Sequence, residues 1–284
     1  MAITNFQRTI WSKQIEKSLA TITSLRNHCS FKHQSETPGA KEIKILNVVR
    51  PTIRTYVPGT PLTREGATDG SMLLKIDQFK YFDFEVDDVE KAQSTPGLME
   101  ALSDEASRGL AEEGDKYVAS IIEAGVEDAT NPLAQSSSVI TLTKQNAMEE
   151  LEKGFAVLYG NNVKVSDNFY WEVAPSVYTI YRQFLTETST DNPEILKKGA
   201  VGKINNAYVT IENLLPTGKT GTGTADDTYY NVLRTDKAID FVEQIDKVEA
   251  YRPQDAFSDA LKGLYCFGAL ITRPEEIYVM KTAM

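Results

Sequence analysis

Residues 214–228, LLPTGKTGTGTADDT, contain the Gly-Lys-Thr triplet that ends a phosphate-binding loop. Such a loop needs Gly-x4-Gly-Lys-Ser/Thr, because the first glycine makes the turn that points several backbone N–H groups at the phosphates. Here Asn213 occupies that first position, and no helix-forming stretch follows Gly218-Lys219-Thr220. We therefore expect a polar surface loop on this stretch. A nucleotide-binding enzyme that uses the triplet is kept as a remote alternative.

The remaining residues that could do chemistry form no complete site. His28, Cys29 and His33 could supply three metal ligands, but a closed zinc site needs four. Neighbours in sequence point different ways on a helix or strand, so adjacent acidic pairs are expected to be solvated or to lie at helix starts. These pairs are Asp87-Asp88, Glu149-Glu150 and Asp226-Asp227. We predict no catalytic residue, no cofactor and no metal site.

Composition excludes several classes of protein. The chain has 284 residues and a net charge of −10, whereas tight DNA binding needs a basic surface that displaces counterions from phosphates. Cys29 and Cys266 lie far apart, so there is no disulfide framework. The N-terminus has no apolar signal segment, and no apolar run approaches the roughly 20 residues that span a bilayer. We expect a soluble protein made in a cytoplasm.

The first half of the chain predicts an arm, a hairpin and a long helix. In the arm, Trp11, Ile15 and Leu19 recur at helical spacing. Residues 41–86 alternate in hydrophobicity on both sides of a Pro/Gly-rich stretch, which predicts one long two-stranded hairpin. Such a ribbon is marginal alone in water and must lie on something. Residues 96–124 then predict a helix that begins at Pro96 and ends before Gly125. Its predicted apolar stripe is Leu98, Leu102, Ala106, Leu110, Tyr117 and Ile121, widened by Val118 and Ile122.

The second half mixes short helices and strands. A helix is predicted at 144–159 after a Thr143 cap, then a buried strand in NFYWEVAP and a helix opened by Pro175. Asn205-Asn206 predicts a hairpin turn. Residues 236–250 fit helix or strand by periodicity alone, while 264–272 read as a strand. The chain offers much architecture and little chemistry, as expected of a protein that works by contacting copies of itself.

The order of these parts resembles the major capsid (coat) proteins of tailed bacteriophages with the Hong Kong 97-type fold. The stretches that carry the resemblance are MAITNFQRTIWSKQIEKSL, KYFDFEVDDVEKAQS, FYWEVAPSVYTIYRQF with TDNPEILKKGAVGKINNAYV, and AIDFVEQIDKVEAYRPQDAFSDALKGLYCFGALITRPEEI. None is a catalytic signature, so the specificity comes from their joint order over nearly the whole chain. The resemblance implies an α+β fold, and it favours strand over helix for part of 242–251.

The resemblance also assigns roles to segments. It implies an N-terminal arm at 1–40, an extended loop at 41–86, a peripheral domain with a spine helix at 87–139, an axial domain at 140–250 and a return to the peripheral domain at 251–284. Contacts between subunits are then expected from the extended loop and the arm, with solvated charge as the alternative for the charged residues. The candidates are Arg50, Arg54, Pro58, Gly59, Arg64, Glu65 and Asp69 in the loop, and Trp11, Ile15 and Leu19 in the arm.

The implied function is a shell subunit. Pentamers and hexamers of the chain would form an icosahedral virion that encloses double-stranded DNA without tight sequence-specific binding. The implied partners are other copies, a portal, a separate scaffolding protein, because only about 40 residues precede the hairpin, and a decoration protein as a further candidate. Some family members crosslink Lys to Asn, but Lys75 and Lys80 are away from the hairpin tip, so we expect no crosslinking. An encapsulin-like compartment is the alternative.

Overall fold

The computed structural model describes residues 24–36, 40–48, 52–56, 58–59, 61, 69–87, 98–129, 132–187, 202–218, 228–254 and 257–283. These residues form a mixed helix and sheet fold, which confirms the predicted α+β class. The strands are β1 (Glu42–Val48), β2 (Asp69–Lys75), β3 (Gln78–Asp87), β4 (Ala134–Gln135), β5 (Phe169–Val173), β6 (Lys203–Ile204), β7 (Ala207–Ile211), β8 (Thr217–Gly218), β9 (Thr228–Thr235), β10 (Ile239–Tyr251), β11 (Ser258–Ile271) and β12 (Ile277–Ala283). The helices are α1 (Leu98–Glu127), α2 (Ala147–Gly160) and α3 (Pro175–Glu187).

Helix α1 is longer than the sequence predicts, and its buried face is rotated. It continues through Gly125, because Gly125 packs directly against Leu133 and Ile271 instead of turning the chain. The predicted stripe is correct at Leu110, Val118 and Ile122, whereas the predicted Leu102, Ala106, Tyr117 and Ile121 are only half-buried. The other buried positions of the helix include the apolar residues Ala111, Ala119 and Val126 and the polar residues Ser103, Ser107 and Asp115. The predicted start at Thr95-Pro96 lies outside the described residues.

Helix α1 packs on a three-stranded sheet in the order β10-β11-β3. Strand β10 shows that 239–250 are extended, after a turn at 236–238, and its pairing with β11 has an irregularity between Ile245 and Lys247. The helix-like spacing of its apolar residues does not decide its structure, because hydrogen bonding to β11 along the whole strand outweighs a weak local preference. The aromatic rings of Phe241, Tyr265, Phe267 and Tyr117 form the contact layer between this sheet and α1.

The predicted hairpin is correct for β1 and β2, which pair antiparallel from Glu42↔Lys75 to Val48↔Asp69. The single strand predicted up to residue 86 is wrong. It breaks at Ile76, whose N–H donates to Lys41, and β3 then pairs with β11 in the other sheet. The alternating pattern runs through both strands and tells which face a side chain takes, but not which strand lies alongside.

The remaining strands form a seven-stranded sheet in the order β4-β12-β9-β5-β7-β6, with β8 also paired to β9. Helices α2 and α3 cover one face, where Phe155 meets Phe169 and Trp171 meets Tyr181 edge to face. Asn205, with a positive φ of 51°, makes the predicted turn between β6 and β7.

One boundary in this part differs from the sequence prediction. Helix α2 begins at Ala147 after Asn146, not at 144 after a Thr143 cap, because the Asn146 side chain bonds Thr143 and Thr141 in a preceding turn. The chain crosses between the three-stranded and the seven-stranded sheet at 236–238 and at 272–276, since β10 pairs with β11 and β12 pairs with β9.

Candidate subunit-contact surfaces

The β1–β2 hairpin has one face attached to its own chain and one face open. Ile43 and Leu74 lie opposite each other and pack with Ile76, Val242 and Cys266 into a small apolar cluster over the three-stranded sheet. The alternate residues point away from this cluster: Lys44, Leu46, Ser71 and Leu73 are exposed. A two-stranded ribbon with an exposed apolar face is expected to be covered by another molecule.

The described residues beyond β1 are also exposed. Ile53, Arg54 and Tyr56 are open to solvent, and so are Pro58 and Gly59, where Gly59 has a φ of +88°. Asp69 begins β2. The other predicted contact residues lie outside the described residues: Arg50, Arg64 and Glu65 in the hairpin, and Trp11, Ile15 and Leu19 in the arm.

The outer face of the three-stranded sheet is a second exposed surface. Phe79 and Tyr81 project from β3 into solvent. Further along the same face, the Tyr251 hydroxyl donates to Asp83, and the Lys262 ammonium lies 5.0 Å from the Tyr251 ring centroid. A groove of about 350 Å³ lies between these groups. The surface combines aromatic area with charge, as many protein interfaces do.

A buried ion pair lies in the interior, where residues 24–36 dock on the body of the chain. Glu172 of β5 and Arg234 of β9 are both fully buried. The guanidinium donates two hydrogen bonds to the carboxylate, Nη2 to Oε1 at 2.7 Å and Nε to Oε2 at 3.0 Å. The guanidinium also donates to the carbonyls of Leu25 and His28. The pair therefore holds the last part of the predicted arm, residues 24–36, against the body of the chain.

Five further side chains complete this polar cluster, which consists of Arg26, His28, Asp115, Glu172, Arg234, Glu243 and Tyr265. Asp115 of α1 accepts the backbone N–H of Arg26 at 2.9 Å. The Arg26 guanidinium donates to Glu243 at 2.8 Å and to Tyr265 at 2.9 Å. His28 lies 2.9 Å from Glu172 and stacks on Tyr170. One short segment is thus bonded to both large sheets and to α1.

Burial and partners shift the pKa values of the cluster in different directions. Burial raises the pKa of Asp115, although the N–H groups of Arg26 and Ser24 oppose it. Burial alone would raise the pKa of Glu172, but the Arg234 charge and the His28 contact outweigh it and lower that pKa. Burial also raises the pKa of the Cys29 thiol, so Cys29 is a packed side chain and not a reactive one.

We expect Asp115→Asn to change how stability depends on pH. A raised carboxyl pKa means that the folded protein holds the proton more tightly than the unfolded chain does. Its contribution is therefore fully present below the ordinary pKa of aspartate and is lost as pH rises through the raised pKa of Asp115. Urea unfolding of unassembled subunits across the acidic range should show that this loss disappears in the variant. Glu172, with its lowered pKa, contributes in the opposite sense and is retained as the internal reference.

A family model described as phage capsid protein matches residues 70–280. The chain belongs to the phage capsid protein family. No curated protein matches the chain significantly in sequence.

Solved structures share the fold of this capsid protein across nearly its whole length. The chain is similar to a structure from Mycobacterium phage Che8, with a TM-score of 0.76, 23% identity and coverage of 91% of this chain and 90% of that one. It is similar to the capsid of Cyanophage P-SCSP1u, with a TM-score of 0.69, 19% identity and coverage of 86% and 84%. It is also similar to a virus-like particle from Pyrococcus furiosus, with a TM-score of 0.58, 12% identity and coverage of 99% of this chain and 100% of that one. The resemblance to phage major capsid proteins seen in the sequence is confirmed.

The protein is accordingly a major capsid protein of an icosahedral phage head, and its place is the virion. Its family and fold are those of a structural protein that assembles with copies of itself. No helix among the described residues is both long and apolar enough to cross a bilayer.

The residues of this capsid protein that the sequence offered as candidates for nucleotide or metal binding take part in strand pairing and side-chain packing. Gly218 lies in β8, paired with Thr228 of β9, so the Gly-Lys-Thr stretch connects two antiparallel strands and not a strand and a helix. Lys219 and Thr220 lie outside the described residues. His28 faces Glu172, Cys29 faces Arg234, and His33 lies near Glu36 and Asp240. Within the described ranges, no group of three or more His, Cys, Asp or Glu residues could hold a metal ion.

The polar cluster of this capsid protein was not predicted from the sequence, although a signal for it is present. Glu172 interrupts the apolar strand FYWEV, and Arg234 stands near the end of YYNVLRT. A charge inside an apolar strand predicts a buried partner of opposite sign, because an unpaired buried charge is very costly. That reasoning identifies both residues as candidates but does not tell which strands are neighbours.

Proposed function

We propose that pentamers and hexamers of this major capsid protein build the head around double-stranded DNA, with each hairpin lying on a neighbouring subunit. The observation that carries the proposal is the hairpin itself. Ile43 and Leu74 fix the base of the hairpin to the three-stranded sheet of the same chain. Leu46, Ile53 and Tyr56 remain exposed. A neighbour that buries this apolar surface would stabilise both subunits, at about 25 cal/mol per Å² of apolar area.

Electron microscopy of purified protein, alone and with the phage scaffolding protein, tests the proposal. We expect shells or ring-shaped capsomers from the wild type, and fewer of them from Ile53→Asp with Tyr56→Asp, because charge is unfavourable in a buried contact. Val165→Asp, an exposed apolar position in the α2–β5 connection, is the matched control. A protein that stays monomeric under every condition would contradict the proposal.

We propose further that the shell is held together without covalent bonds. Lys75 ends β2 at the hairpin base, and Lys80 is engaged with Glu113 of α1 at 2.8 Å. Neither lysine stands at the hairpin tip. Intact-mass analysis of denatured shells should show monomer alone. A ladder of multimers from the native chain would show that crosslinking occurs.

The other assembly partners follow from the same proposal. They are a separate scaffolding protein, a portal and, as a further candidate, a decoration protein, with assembly in the host cytoplasm. The proposed subunit contacts are those of the arm and the loop. They are Trp11, Ile15 and Leu19 in the arm, and Arg50, Arg54, Pro58, Gly59, Arg64, Glu65 and Asp69 in the loop. The net charge of −10 fits a wall that encloses DNA without holding it.

No enzymatic role is proposed. Loss of a measured nucleotide-binding signal in Lys219→Ala would revive the nucleotide alternative. The second candidate is a shell that encloses cargo proteins, which the similarity in fold to a virus-like particle from Pyrococcus furiosus keeps in view. Genes for a terminase and a portal beside this one favour a phage head, whereas a cargo enzyme gene favours the compartment.

A further inference from the structure

Residues 24–36, which we call the strap, cover the outer edge of strand β10, the strand that ends the three-stranded sheet opposite β3. The backbone of Ser30 donates to the first residue of β10 at 2.8 Å and accepts from the N–H of Phe241 at 2.9 Å. Further along, the Gln34 side chain donates to the carbonyl of Glu243 and accepts from its N–H at 3.0 Å. The strap therefore seals a strand edge that would otherwise be open to another strand.

His33 of the strap stands between two carboxylates, one at each ring nitrogen. Its Nδ1 lies 3.4 Å from Oε1 of Glu36, and its Nε2 lies 3.8 Å from Oδ2 of Asp240. The Asp240 side chain is fully buried, and the imidazole is 17% exposed. Among the described residues, neither His33 Nε2 nor Asp240 Oδ1 has a hydrogen-bond partner. Buried polar atoms without partners are uncommon in folded proteins, so this pair calls for an explanation.

The number of protons on His33 decides whether it fits this position. A neutral imidazole carries hydrogen on one nitrogen only, so its other nitrogen turns a lone pair toward a carboxylate. An imidazolium has a donor on each side and can bond both Glu36 and Asp240. Histidine is also the side chain that gains its second proton close to neutral pH. The geometry is therefore that of an imidazolium that bridges two carboxylates.

The other charges around His33 act in both directions. The Lys32 ammonium pairs with Oδ2 of Asp240 at 2.9 Å, and Arg273 adds positive charge toward the same carboxylate. Both cations oppose a proton on His33, whereas Asp240 and Glu36 favour it. Lys32 is half exposed, so solvent screens its charge, but Asp240 is fully buried. The two carboxylates in direct line with the ring nitrogens therefore dominate.

We propose that protonated His33 fastens the strap to the outer edge of β10, and that loss of this proton loosens the strap there. This is a device within one subunit and lies beyond the proposed assembly of the head. When His33 is charged, it joins Lys32 on Asp240, and the hydrogen bonds of Ser30 and Gln34 with β10 are held closed. When His33 is neutral, one of its contacts becomes a lone pair facing a carboxylate, and the edge of β10 opens more often to solvent or to another strand.

Hydrogen exchange of unassembled subunits, followed by NMR, tests the fastener. Protection factors of the Ser30, Phe241 and Glu243 amides, corrected for the intrinsic effect of pH, are measured at about pH 5.5 and about pH 8, on either side of the range in which imidazole titrates. We expect wild-type protection to be on the order of tenfold greater at the acidic pH, because a hydrogen bond to a charged group is lost above it. His33→Gln should show the low protection at both pH values, and His33→Lys, which stays charged, the high protection at both.

Two features of the design isolate His33. Lys237→Gln is the matched control, because it removes an ion pair with Asp167 at 2.6 Å that lies outside the strap, and it should keep the wild-type pH dependence. Asp115 and Glu212, whose pKa values burial raises, are retained in every variant, so any pH dependence that they cause is common to all. Protected amides in β9 show that each variant is folded.

Three results would overturn the inference: wild-type protection that does not change with pH, a His33→Gln variant that keeps the wild-type pH dependence, and a His33→Lys variant that behaves as His33→Gln does. Each of them leaves the proposed function standing, because shell assembly is measured separately by electron microscopy. Absence of shells would refute the proposed function and would not touch the pH dependence of the strap.

Discussion

Arg234→Met should lower the free energy of unfolding of the unassembled subunit by about 3–5 kcal/mol. The substitution removes the guanidinium that bonds Glu172 and leaves that carboxylate fully buried. It also leaves the carbonyls of Leu25 and His28 without their donors, so the segment 24–36 loses its anchor. Urea unfolding followed by tryptophan fluorescence measures the change, because Trp171 lies beside Glu172 in β5.

Two controls separate burial from charge. Arg273→Met removes a similar contact, Nη1 to Glu276 Oε1 at 2.8 Å, but Arg273 is half exposed, so we expect a loss of about 0–1 kcal/mol. The double variant Arg234→Met with Glu172→Leu should recover part of the stability, since it removes the unpaired charge together with its partner. Equal effects of Arg234→Met and Arg273→Met would show that burial of the ion pair does not matter.

Gly268→Ala should displace the hairpin and prevent shell assembly. A Cβ on Gly268 would lie 2.0 Å from the carbonyl oxygen of Lys75 and 3.1 Å from the Cα of Ile76, and backbone cannot move aside as a side chain can. Relief requires the end of β2 to separate from β11, which opens the cluster of Ile43, Leu74 and Val242. We expect a loss of about 3 kcal/mol in the unfolding free energy of the subunit, at the upper end of overpacked substitutions.

Gly109→Ala is the matched control for this prediction. Gly109 lies inside α1, and nothing stands within 4 Å of its would-be Cβ. Alanine at a helix interior is favoured over glycine by about 0.5–1 kcal/mol, so this variant should be slightly more stable and should assemble. Electron microscopy and urea unfolding of the two variants decide the matter. Normal shells from Gly268→Ala would mean that the hairpin base is not held against β11.

Local signals in the sequence predicted elements well where they depend on neighbours along the chain. The buried strand in FYWEV, the Pro175 helix start and the Asn205-Asn206 turn were all confirmed. The same signals were wrong where a distant contact decides. Gly125 reads as a helix end, but it is a glycine because Leu133 and Ile271 approach the helix there. Residues 236–250 read as helix or strand, and pairing with β11 makes 239–250 strand.

The candidate surfaces divide in the same way. Sequence identified the hairpin, and it named Arg54 as a contact residue from its place in the extended loop. It did not show that β3 belongs to another sheet, and therefore it did not reveal the exposed outer face that Phe79 and Tyr81 mark. Alternation is the same in a strand of a hairpin and in an edge strand, because each needs only one buried face.

By itself the sequence determined the α+β class, the order of the arm, hairpin, long helix and sheet segments, and through that order the phage capsid family. Those properties follow from local periodicity and turn chemistry, because both depend only on the residues within each stretch. The tertiary structure alone decided that β3 leaves the hairpin for β11, that Glu172 meets Arg234, and that residues 24–36 dock where α1 and the sheets meet. These are pairings between residues far apart in the chain, and pairing depends on which surfaces fold together.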